Sequence, residues 1–80
     1  MTSTELMRRE ILRLAHASQR SAFISTRRLS AFYNMPEKNV RQEMANLAAE
    51  NRIRLAGWQN REDFVNQYPE GMSVRVDLLD

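Results

Sequence analysis

The stretch from Leu29 to Ile53, LSAFYNMPEKNVRQEMANLAAENRI, is the feature that most constrains the fold. Its apolar residues are Leu29, Phe32 and Tyr33, Met35, Val40, Met44, Leu47 and Ile53. Val40, Met44 and Leu47 recur at helical spacing, with Asn51 continuing the same line, so one face of a helix starting near Pro36 is apolar. A shorter helix over 26–33 precedes it and turns Leu29 and Tyr33 inward. The two are separated by Asn34, a residue that tolerates the left-handed region. Met35 then plugs the corner, Pro36 suits the first turn of a helix and Glu37 favours its positive end. Two helices on so tight a corner are the DNA-reading arrangement when the second presents polar side chains outward.

The remaining elements follow from the same period counting. A first helix over about 4–18 buries Met7, Ile11, Leu14, Ala15 and Ser18, with Thr2, Ser3 and Thr4 as available caps. Arg9, Arg13, His16 and Arg20 fall on its outer line. Ala22-Phe23-Ile24 is a short β-favouring run, and Ser25 or Thr26 caps the second helix. Residues 52–58 and 72–79 alternate apolar and polar side chains, with Ile53, Leu55, Val74, Val76 and Leu78 inward, and pair as an antiparallel hairpin. Their connection, 59–71, is long for a hairpin, and Phe64, Val65 and Tyr68 suit one helical turn over about 62–67. The expected fold is mainly α with a small antiparallel β wing, in the order α-β-α-α-β-β. It forms one domain over 1–80, with the two-helix unit at about 26–50 and the hairpin at about 52–79.

Eighty residues with no cysteine leave neither a disulfide framework nor a thiolate metal site to hold such a domain together. No apolar run reaches membrane-spanning length and the N-terminus lacks a signal-like apolar stretch, so a soluble cytoplasmic protein, nucleoid-associated if prokaryotic, is expected. The formal charge of +2 hides a strong polarity. Residues 1–61 hold eleven basic against five acidic residues, +6, whereas 62–80 hold one against five, −4. Eleven of the twelve cations are arginine, the side chain best suited to bidentate phosphate and guanine contacts.

Order and motif together resemble the winged helix–turn–helix superfamily over nearly the whole chain. The local pattern is similar to the DNA-binding domain of GntR-type regulators: Ser25-Thr26-Arg27-Arg28-Leu29-Ser30 matches the start, Asn39-Val40-Arg41 the recognition helix, and Leu47, Glu50-Asn51 and Ile53 the exit. The resemblance implies that Arg27 approaches phosphates while Lys38, Asn39 and Arg41 face the major groove. This chain departs from the pattern in having Pro36 and Asn39 where serine and threonine are usual, Asn51 in place of a glycine, and the long 59–71 segment in place of a short glycine-rich tip. No effector-binding domain is expected to follow.

Residue chemistry points the same way. Lys38, Asn39, Arg41, Gln42, Ala45, Asn46 and Ala49 project from the apolar stripe, and amides and guanidinium groups there can read adenine and guanine edges. Arg27 and Arg28 stand against the dipole at a helix start and are candidate phosphate clamps, as are Arg52 and Arg54 on the wing. No catalytic constellation, phosphate-cradling glycine loop or metal-spaced ligand pair is present, so no enzymatic role and no cofactor are expected. The expected partner is duplex DNA, read by a small transcriptional regulator or accessory factor working with a homodimer mate or another protein. The alternative is a protein-interaction module using 59–71 and the acidic C-terminal strand, in which Trp58, Phe64 and Tyr68 would form an exposed patch.

Overall fold

Caps written into the sequence set the limits of the helices. In the computed structural model, which describes residues 2–79, α1 spans Ser3–Ala17 and opens on a capping box. Thr2 Oγ1 accepts from the Glu5 amide at 3.1 Å, and the Glu5 carboxylate returns to the Thr2 amide at 3.4 Å. Ser25 caps α2, Thr26–Tyr33, by accepting from the Arg28 amide at 3.1 Å. Asn34 ends it in the left-handed region (φ 53°, ψ 56°), and the Met35 amide folds back onto the Ser30 carbonyl at 3.1 Å. Pro36 then starts α3, Glu37–Ala49, which Asn51 closes with a φ of 60°. Met1 and Asp80, the ends of the expected domain, lie outside the described residues.

Three short strands complete the architecture: β1, Ser21–Ser25; β2, Ile53–Leu55; and β3, Ser73–Leu78. They form one antiparallel sheet in the order β1-β3-β2. The register sets Ala22 opposite Val76 and Ile24 opposite Val74 on one side, and Leu55 opposite Val76 on the other. The fold is therefore mainly helical with a small three-stranded sheet, and β2 and β3 pair as the alternation predicts. Leu14 and Leu78 are half-buried and Ser18, just past the end of α1, is exposed, so the predicted stripes lose a little at their ends. Among the described residues no helix is long and apolar enough to cross a membrane.

The core is continuous. Met7, Ile11 and Ala15 of α1 meet Val40, Met44 and Leu47 of α3, with Ile24, Ile53, Val74 and Val76 closing it from the sheet. The long connection contributes a fourth helix, α4, Arg61–Gln67, capped by Asn60 and longer than the single turn expected. Phe64 is fully buried, and Trp58 and Tyr68 pack on it at ring-centroid distances of 5.9 and 5.2 Å. The Tyr68 hydroxyl donates to the Ser73 carbonyl at 2.6 Å, so the three aromatics bind the connection to the body.

The corner at Asn34 makes a direct prediction. A β-branched residue there faces the left-handed penalty of about 1–2 kcal/mol. Asn34→Val should lower unfolding free energy by about that much in a denaturant titration, whereas Asn34→Gly should not lower it.

Candidate nucleic-acid interface

The second helix of the tight pair, α3, carries its polar side chains on one arc. Lys38, Asn39, Gln42 and Ala49 are exposed, with Asn46 half-buried between them. The Gln42 amide donates to Asn46 Oδ1 at 3.2 Å, and Asn46 Nδ2 reaches Glu43 Oε2 at 3.4 Å. This gives a line of linked amides along the helix. The carboxylates at its far end are countered: Arg8, from α1, holds Glu50 at 2.5 Å and lies 4.0 Å from Glu43. The exposed arc therefore offers one cation and three amides at its centre.

Arg41 is not part of that arc, which corrects the expectation that it faces a groove. Its side chain is 3% exposed. Nε donates to the Val65 carbonyl at 3.1 Å, and Nη2 to Glu70 Oε1 at 3.1 Å. The cause is the arrival of α4 against that flank of α3. The last carbonyls of a helix lack internal partners and carry its negative dipole end, and a guanidinium satisfies both. Ala45, also expected to face outward, is buried beneath the same contact. Arg41 Nη1 has no hydrogen-bond partner among the described residues, so the site is satisfied only in part.

The other expected contacts disperse. Arg27 and Arg28 are both exposed, but successive helical positions carry them apart. The Arg27 guanidinium lies by Gly71, where an added Cβ would meet its Cζ at 3.9 Å, and it acts electrostatically on Glu37 at the start of α3. Arg28 instead lines a groove with Glu10, Phe23, Leu29 and Phe32. Arg52 faces α1, beside Glu5, Arg8, Arg9 and Leu12. Arg54 gives its guanidinium to Asp77 at 3.0 Å on the outside of the sheet. Lys38, Asn39 and Gln42 thus share a face, Arg27 borders its N-terminal end, and Arg28, Arg41, Arg52 and Arg54 do not join it.

One cation missed by the sequence reading does join it. Arg61, the first residue of α4, lines the α3–α4 groove with Lys38, Gln42, Asn46, Glu62 and Asn66. The signal lay in the helical spacing of Phe64, Val65 and Tyr68, which implied a helix but not where its first residue would sit.

Glu37 fixes the N-terminal end of this face. Its Oε1 accepts from the Gly71 amide and from the Thr26 hydroxyl, each at 3.0 Å, and Thr26 is fully buried. The Gly71 N–H donation is the main reason its carboxyl is held below the ordinary value of 4.5, with Thr26 and the charge of Arg27 adding to it. One carboxylate thereby ties the starts of α2 and α3 to the turn before β3.

Two measurements check these roles. Arg41→Met should cost about 1–3 kcal/mol, the penalty for an orphaned buried carbonyl, and amide exchange should rise first in α4. For Glu37 the folded value is depressed, so its contribution is present above pH 4.5 and is lost as pH falls through the lower folded value. Glu37→Gln should therefore flatten the acid limb of a stability–pH curve below pH 4.5.

No family model matches the sequence, and neither the curated proteins nor the solved structures contain a significant match.

Proposed function

We propose that this chain is a winged helix–turn–helix module that binds duplex DNA through the exposed arc of α3. The observation that carries the reading is the grouping of Lys38, Asn39 and Gln42 on one face, bordered by Arg27 and Arg61, with Glu62 beside Arg61 on the α4 side. The tight α2–α3 corner and the antiparallel β2–β3 pair agree with it. Asn39 and Gln42 supply the paired donor and acceptor that match an adenine edge in the major groove. Lys38, Arg27 and Arg61 supply phosphate contacts that set register on the duplex.

The fourth helix limits how the module docks. A major groove about 12 Å wide admits one helix, not two side by side. In this reading the Asn39–Gln42–Asn46 arc enters the groove, while the Arg41 and Ala45 flank holds α4 outside, with Arg61 placed toward the phosphate edge. The Asn39-Val40-Arg41 triplet of the GntR-type resemblance then works differently here. Arg41 serves α4, and base reading falls to Asn39 and Gln42. The protein-interaction alternative through 59–71 gains nothing from the aromatics it requires, because Phe64 is buried and Trp58 and Tyr68 pack on it.

Fluorescence anisotropy with a labelled generic duplex at about 50 and 200 mM salt tests the proposal. Three phosphate contacts imply a weakening of about forty-fold across that range. Lys38→Ala should reduce the salt slope by about 0.9, and Gln42→Ala should weaken binding without changing the slope. Absence of binding at the lower salt by folded protein, or equal binding by a Lys38→Ala/Gln42→Ala double variant, would overturn it.

A further inference from the structure

The outer edge of β1 is open. Among the described residues the sheet order leaves β1 with β3 on one side and no strand on the other. Which main-chain groups face that opening follows from the register. The Leu78 amide donates to the Arg20 carbonyl at 2.6 Å, and the ladder pairs Ala22 with Val76 and Ile24 with Val74. Bonding in an antiparallel ladder alternates, so residues 20, 22 and 24 face β3 while Ser21, Phe23 and Ser25 turn their main-chain groups outward. The Ser21 amide is taken by the Ser18 carbonyl at 3.3 Å, which leaves the Ser21 carbonyl, both groups of Phe23 and the Ser25 amide for another strand.

The side chains around this edge are those of a contact surface. Phe23 is 77% exposed and Phe32 is 80% exposed, the two most exposed large apolar side chains among the described residues. Both line one groove with Leu14, Leu29 and Tyr33. Together the two rings leave roughly 300 Å² of apolar surface uncovered, the size at which a patch on a monomer takes on meaning. β1 has no charge and no proline, the devices that blunt a free edge. Instead the groove carries a single acid and a single base on opposite walls, Glu10 on α1 and Arg28 on α2, so two copies of it meet without an excess of like charge.

We propose that β1 is the seam of a homodimer, pairing antiparallel with β1 of a second copy about a twofold axis through Phe23. The strand Ser-Ala-Phe-Ile-Ser reads nearly the same from either end, and its burial alternates symmetrically about Phe23. Self-pairing sets Ser21 against Ser25, Ala22 against Ile24, and Phe23 against Phe23. The parity agrees, because a twofold at Phe23 needs that residue's own N–H and C=O to face out. The pair exchanges four main-chain hydrogen bonds and joins two sheets into one of six strands, with the Phe23 rings side by side on one surface. With five residues per strand, the contact falls below the roughly 800 Å² per partner of a standard interface, so association is in the micromolar range. The proposal stands independently of DNA binding.

Sedimentation velocity from about 5 to 500 µM, without nucleic acid, tests it. Wild type should shift from monomer to dimer across this range. Phe23→Glu and Phe23→Lys each place like charges on the axis and should remain monomeric while keeping the wild-type circular dichroism and melting, since Phe23 lies outside the core. An equimolar mixture of the two variants should dimerise again, glutamate now facing lysine. A wild type that stays monomeric, or a dimer unaffected by Phe23→Glu, would overturn the seam. A mixture that fails to associate when wild type does would overturn the twofold at Phe23.

Discussion

The contact between the Arg41 guanidinium and the end of α4 governs how much of α3 is left to face outward. A seven-residue helix is far below the length at which a helix stands alone in water. It is held by the burial of Phe64 and Val65 and by a cation at its unpaired carbonyls. Once α4 is in place, α3 has packing on two flanks and a single polar arc. Removing a charge from that arc leaves a face made mainly of amides. In the proposed function, such a face would discriminate by hydrogen-bond pattern more than by charge, and affinity would depend on cations at its borders.

The corner and the caps were legible because each depends on near neighbours. Asn34, Ser25 and Thr2 act within three or four residues, and the left-handed turn follows from the side chain's own tolerance. β2 and β3 were legible from alternation, and β1 from its β-favouring run. Arg41 was not, because its environment comes from residues 24 and 29 positions further along. Its place next to Val40 sets it at the border of the apolar stripe, where the helix's own sequence gives either answer. The same holds for Arg54, whose charge is taken by Asp77 across the sheet.

Charge along the chain is likewise a poor map of charge on the surface. The polarity between the two parts of the sequence suggested one basic face and one acidic end. In the structure the acidic end supplies partners to the basic part: Glu70 to Arg41, Asp77 to Arg54. Within the basic part, Glu50 and Glu10 engage Arg8 and Arg13. The exposed cations that remain fall in separate places, Arg27, Lys38 and Arg61 around the α3 arc, Arg28 at the β1 groove and Arg52 against α1.

The order of the strands carries a consequence for how the protein assembles. β3 lies between β1 and β2, yet it is the last of the three along the chain, 48 to 56 residues beyond its partners in β1. β1 and β2 do not pair with each other. The β2–β3 ladder pairs residues only 21 to 25 positions apart and can form as a hairpin around α4, whereas the β1–β3 ladder must first close a loop of 48 to 56 residues. The helices can collapse early, because their contacts are more local. β1 joins the sheet only through β3, and until β3 docks, the apolar strand Ser21–Ser25 has two open edges instead of one.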